Sequence, residues 1–245
     1  MFGDIKKAAR TIRYAISDAG IAAHDPATVA RYRQLRREVF RPEYSFRCKP
    51  EAKLIYIEIP KAASRTLHDL LGETSSIRAL GLSQFFALAD DPETVIFTFT
   101  RNPFDRLASC YRNKFQDKPI HALGTYRKDL RRAFGLTLRG LKQSEPLPFD
   151  QFVELACATC ISGTDGHWLQ MSRLIPFGDL APSHVGRVES FDSDLKKLTG
   201  RLGIRKDIPR LNSTASSDLW TANLRRQVSR AYEPDFQRFG YDQET

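Results

Sequence analysis

A chain of 245 residues, 41% hydrophobic and 27% charged, is long enough to bury a core and reads as one globular domain with or without decorations. Its charge is less ordinary: 38 Lys and Arg against 29 Asp and Glu leave a net +9, which points to an anionic partner such as a nucleotide, nucleic acid, membrane surface or acidic glycan. No apolar run approaches the roughly 18 residues of a membrane-spanning helix, so a transmembrane segment within this sequence is excluded.

Residues 4–19 read as a short basic helix with Ile5, Ala8, Ala9, Ile12 and Ile16 on one side, suited to docking on the domain or a partner, or to peripheral contact with a membrane. Lys6, Lys7, Arg10 and Arg13 interrupt any apolar leader, and a cytoplasmic protein is expected. A second helix is predicted over 27–40, ending before Pro42. Together these make residues 1–50 a basic extension, with eleven Lys and Arg against five Asp and Glu, ahead of a main domain at 51–245.

The main domain opens on Ile55-Tyr56-Ile57-Glu58-Ile59-Pro60-Lys61-Ala62-Ala63-Ser64-Arg65-Thr66-Leu67. A β-rich apolar run ends at Pro60, a loop of small residues follows, and Leu67, Leu70 and Leu71 begin a helical pattern, so the stretch reads as strand, loop, helix. The first turn of a helix leaves backbone N–H groups unpaired at the positive end of its dipole, which suits it to an anion. Lys61 adds a charge there, Ser64 and Thr66 add hydroxyls, and a phosphate or similar oxyanion is the expected guest. A kinase-type phosphate loop would need glycines that let the backbone wrap the phosphates, and none occurs between residues 54 and 71. Ala62 and Ala63 are left to provide the close approach.

A second unit of the same kind follows. Ser83 is placed to cap a short helix, Asp91-Pro92 turns the chain, and Thr94 to Thr100 alternates as a strand. Arg101-Asn102-Pro103 breaks that strand before a helix with Phe104, Leu107, Ala108, Tyr111 and Phe115 on its apolar face. Arg101 at the strand end and Ser109 two turns on can hold a second phosphate, with Arg112 a further donor or a solvent-facing residue. Alternating strand and helix units predict an α/β fold in three layers, a central parallel sheet with helices on both faces, and ligands beyond the carboxyl ends of its strands.

Residues 117–148 are polar and basic, broken by Gly124, Gly135, Gly140, Pro146 and Pro148, and read as an insertion or mobile flap beside the site. A helix is predicted over 149–158, then a loop with His167 and Trp168, short strands at 172–176 and 184–188, a helix from Ser190 or Asp192 to Leu202, and a last helix over 218–232. Cys157 and Cys160 have C-x-x-C spacing without a second Cys or His pair, and read as buried thiols, as do Cys48 and Cys110. No metal site is expected.

The segments IPKAASRTL and TRNPFDRLASCYRNKF together resemble the two cofactor signatures of sulfotransferases that use 3′-phosphoadenosine 5′-phosphosulfate (PAPS), most closely the Golgi carbohydrate branch. DGHW at 165–168, VGRVESFDSDLKKL at 185–198 and YEPDFQRFGY at 232–241 also resemble that branch, so the likeness covers roughly 53–241. It implies the P-loop-nucleotide-hydrolase-like sulfotransferase fold and transfer of a sulfuryl group from PAPS to a hydroxyl of a carbohydrate, an acidic one being compatible with the basic segments. Carried onto this chain, Lys61 is the cation at the departing phosphate, and Ala62, Ala63, Ser64, Arg65 and Thr66 hold the 5′-phosphosulfate. Arg101, Ser109 and Arg112 hold the 3′-phosphate, and the polar loop Leu211 to Thr214 covers the nucleotide.

The acceptor hydroxyl needs a general base. His167 is favoured slightly over His68, with Glu189 at a strand end a further candidate for base or substrate contact; Trp168 can stack on a sugar or be buried beside the site. Two other functions compete. A kinase-like phosphotransferase is disfavoured by the glycine-free loop and the absence of a clear magnesium-binding acid. A non-catalytic polyanion binder fits the charge, but no helix-turn-helix, zinc or RNA-binding signature accompanies it, and nucleic acid is not expected as a partner.

Overall fold

The computed structural model describes residues 26–135, Leu138, and residues 141–202 and 217–243. The helix expected at 4–19 and the polar loop at 211–214 lie outside the described residues.

Four strands form one sheet in chain order: β1 (Phe46–Lys49), β2 (Leu54–Ile57), β3 (Val95–Thr100) and β4 (His184–Arg187). The β2–β3 and β3–β4 pairs are parallel, as the strand–helix alternation predicts, but β1 pairs antiparallel with β2. The expected parallel sheet is therefore corrected to a mixed one. Its connection explains why: only the single turn Pro50–Ala52 and Lys53, held at φ 50°, join β1 to β2. A parallel crossover needs a dozen or more residues, whereas a hairpin needs a few.

Alternation along β2 sorts the helices onto two faces. Leu54 and Tyr56 pack with Leu67, Leu70 and Leu71 of α2 (Ser64–Leu71; α1 being Pro26–Val39), and with Phe191, Leu195 and Leu198 farther along the chain. Ile55 and Ile57 face the other way, onto Tyr32 and Leu35 of α1, Ile77 of α3 (Ile77–Leu80) and Phe85 and Phe86 of α4 (Leu82–Asp90). The architecture is thus α/β in three layers.

A third cluster joins α5 (Pro103–Lys114), α6 (Arg127–Phe134), α7 (Phe149–Thr159) and the late helices, with Trp168 fully buried among them. It absorbs the segment read as an insertion or flap: Ile120, Leu123, Leu130 and Leu147 are buried. The buried Asp129 of α6 accepts hydrogen bonds from the Thr164 amide at 3.0 and 3.1 Å and from its hydroxyl at 3.1 Å. The described part of the segment contributes to the core, while Arg127, Lys128, Arg131 and Arg132 stay exposed.

The strand expected at 172–176 is instead the helical turn α8 (Met171–Leu174). Asp235, fully buried, accepts from the amides of Met171 and Ser172 at 2.7 and 2.8 Å and caps that turn from 63 residues away. Downstream come α9 (Phe191–Leu202) and α10 (Ala222–Ala231), the helix expected over 218–232 but preceded by a separate 3-10 turn at Ser217–Leu219, and then α11 (Glu233–Phe239), a further helix with Pro234 in its first turn. Among the described residues no helix is long and apolar enough to cross a membrane.

Candidate functional site

Because β2 and β3 are parallel neighbours, with Ile57 opposite Thr98, their carboxyl ends open onto the same edge of the sheet. The two loops that follow them, 58–63 and 101–102, line one cleft of about 1330 Å³. Lys61, Ala63, Ser64, Arg65 and Thr66 form one wall; Arg101, Asp105, Ser109 and Asn113, spaced by four along α5, form another; His167 and residues 188–193 complete it.

The first loop achieves its turn without glycine. Lys61 and Ala63 carry positive φ, 70° and 61°, a conformation that costs other residues on the order of 1–3 kcal/mol and concentrates at functional sites. Ala63 offers no side-chain cap, and the first amide of the helix to bond backward is that of Leu67, to the Ala63 carbonyl at 3.0 Å. The amides of Ser64, Arg65 and Thr66 thus stand at the mouth of α2, in the position that accepts anions. Ala62 departs from its expected place: it is fully buried with Ile59, Leu169 and Met171, and only Ala63 lines the cleft.

The second loop reaches the first directly. The Arg101 guanidinium donates to the Lys61 carbonyl at 3.5 Å. Burial holds both cations below their ordinary pKa; Arg65, Lys114 and Arg101 repel Lys61, while Asp105 and Glu189 partly restore Arg101. Among the described residues neither forms an ion pair, nor does Arg65, so the cleft gathers cations that a multiply charged anion would neutralise.

His167 is oriented by its neighbour. Its Nδ1 lies 2.5 Å from Asp165 Oδ1, which also accepts from the His167 amide at 2.8 Å. Burial raises the Asp165 pKa, but the hydrogen bonds from the His167 ring and amide outweigh it, and the carboxyl is held below its usual range. An ionised Asp165 keeps the ring hydrogen on Nδ1 and leaves Nε2 as the basic nitrogen.

Arg106 of α5 is 1% exposed. Its Nε donates to the Pro60 carbonyl at 3.1 Å, Nη1 to Leu169 at 2.6 Å and Nη2 to Gly166 at 2.6 Å.

The structure thus gathers Lys61, Ala63, Ser64, Arg65, Thr66, Arg101, Ser109, His167 and Glu189. Glu189 has both oxygens committed, Oε1 to the Asn102 amide at 2.7 Å and Oε2 to the Tyr241 hydroxyl at 3.1 Å. Besides Ala62, three expected residues stand apart. His68 does not line the cleft, and its Nε2 is 3.4 Å from Glu58, which does. Arg112, half-buried, is off the stripe of four and outside the lining. Trp168 presents no face to an acceptor: it is fully buried against Phe115, Tyr126 and Phe152, its indole N–H on the Thr159 hydroxyl at 2.9 Å.

Asp165 and Arg106 were missed. Asp165 has a sequence signal in the spacing Asp-x-His; Arg106 has none, since its partners are backbone carbonyls. The four cysteines are free, and burial raises Cys48, Cys110 and Cys157 to about 12 and Cys160 to about 11, as expected of packed thiols.

A sequence model of the sulfotransferase family matches residues 82–242, well over half of the chain, leaving the Lys61 loop outside the matched stretch. Carbohydrate sulfotransferase 12 of Mus musculus is 28% identical over 166 residues, covering 59% of this chain and 39% of that protein. Carbohydrate sulfotransferase 11 of Rattus norvegicus is 26% identical over 162 residues, covering 59% of this chain and 46% of that one. These matches therefore cover less than half the length of either relative. No solved structure matches.

Proposed function

From the premise that this chain belongs to the sulfotransferase family, we propose that it transfers the sulfuryl group of PAPS to a hydroxyl of a carbohydrate, an acidic one being the best fit to its charge. One observation carries the donor assignment: two anion-accepting strand ends share one cleft, with Arg101 on the Lys61 carbonyl at 3.5 Å. The start of α2 beyond a parallel strand also supports reading the fold as P-loop-nucleotide-hydrolase-like.

Lys61 and the amides and hydroxyls of Ser64 and Thr66, with Arg65, would hold the 5′-phosphosulfate, and Arg101 and Ser109 the 3′-phosphate. When bound, the donor supplies an activated sulfuryl group whose transfer leaves 3′-phosphoadenosine 5′-phosphate. Lys61 places its charge where negative charge grows during transfer, and so favours the transition state over the ground state. His167 takes the acceptor proton on Nε2, and Asp165 holds the opposite nitrogen in its protonated form.

Calorimetry with 3′-phosphoadenosine 5′-phosphate, ATP and a generic oligonucleotide tests the reading. Binding of the first alone, lost in Arg101→Ala, is the expected result. Equal preference for ATP would support a phosphotransferase instead, and salt-sensitive binding of the oligonucleotide alone would support a polyanion binder.

A further inference from the structure

Residues 160–170 cross from α7 to α8 without a strand or ladder, yet they carry His167. Backbone bonds fix the amides of Gly163 and Gln170, and side chains meet the groups between them: Asp129 takes the Thr164 amide, Asp165 the His167 amide, and Arg106 the carbonyls of Gly166 and Leu169, one on each side of His167. The third donor of Arg106 goes to Pro60, the residue before Lys61, at 3.1 Å. The two loops also lie close, since a methyl group added on Gly166 would come within 3.6 Å of the Pro60 ring.

A buried guanidinium normally faces a carboxylate. Here it spends three donors on carbonyls of two irregular loops, a task that a fork of fixed geometry performs and a lysine cannot. We propose that Arg106 is a positioning residue that ties the Lys61 loop to the His167 loop and so fixes the proton-accepting nitrogen relative to the bound donor. Arg106 touches neither donor nor acceptor; its effect falls on turnover rather than on donor affinity, because α2 and Arg101 hold the donor without it.

The activity readout rests on the sulfuryl-transfer reading, and the test separates the two. In Arg106→Lys we expect the affinity for 3′-phosphoadenosine 5′-phosphate and the donor KM to stay within about threefold of the natural chain while kcat falls on the order of 100-fold. Unchanged kcat overturns the proposal. So does a loss of kcat matched by an equal loss of donor affinity, the mark of general damage to the fold. If Arg106→Lys lacks a cooperative melting transition, hydrogen exchange on the natural chain decides. Amides of 61–63 and 164–169 opening with one common protection factor support the tie; protection factors differing more than about tenfold refute it. If the natural chain binds no 3′-phosphoadenosine 5′-phosphate, the functional reading fails, and the exchange measurement still judges the tie.

Discussion

Lys61 sits where its charge is least comfortable and most useful. Burial lowers its pKa first, and repulsion from Arg65, Lys114 and Arg101 acts in the same direction. A lysine so depressed loses its proton at a lower pH than the ordinary value of about 10.4. Anion affinity needs the charged form, so binding of 3′-phosphoadenosine 5′-phosphate should weaken as pH rises and begin to do so below the usual lysine range. Lys61→Arg should bind with little change across the same window, and calorimetry at a series of pH values compares them; an identical decline in both assigns the titration elsewhere. Lys61→Ala should cost about 100- to 1000-fold in kcat, the scale on which removing one preorganised charge or donor acts. At this scale Lys61 and Arg101 were legible because each follows an apolar run at a strand end. His167 was favoured only slightly over His68 in the sequence, and the contact with Asp165 is what singles it out.

The elements were legible where periodicity is local and illegible where a distant partner decides. β3, α5 and α7 announce themselves by alternation or by a stripe of apolar residues. β1 has four residues, too few for a pattern, and exists because it can pair with β2. The turn α8 depends on a carboxylate 63 residues away, so its own apolar run reads equally well as a strand. β4 has a requirement of a different kind. A methyl group on Gly186 would come within 2.5 Å of Phe99 Cε1, and Phe99 is fully buried with Phe191 at 5.0 Å between ring centroids. Neither ring nor strand has room to yield. Gly186→Ala should therefore destabilise the chain by about 1–3 kcal/mol, lowering the melting temperature by roughly 2–4 °C per kcal/mol. Calorimetric melting at or above the natural temperature would show that β4 sits farther from Phe99.

Over the whole molecule, the surplus charge is not spread evenly. Residues 118–142 hold seven Lys and Arg against one Asp. That one carboxylate, Asp129, is buried on Thr164, so the exposed side chains of Arg127, Lys128, Arg131 and Arg132 have no acid within their own helix to balance them. The same Asp129 fastens α6 to the loop that carries Asp165 and His167. If the acceptor is acidic, as in the proposed function, a polysaccharide lying on α6 would be held by a charge that acts over about 8–10 Å at ordinary ionic strength. In the proposed function other residues hold the donor, so the two bindings should separate. Reversing Arg127 and Arg131 together to Glu should raise the KM for an anionic polymer roughly tenfold and flatten its dependence on salt. The affinity for 3′-phosphoadenosine 5′-phosphate and the KM for a neutral oligosaccharide should hold. Steady-state kinetics at two salt concentrations distinguishes the outcomes: a loss shared by neutral and anionic acceptors would mean that α6 supports the fold of the loop and recognises no charge.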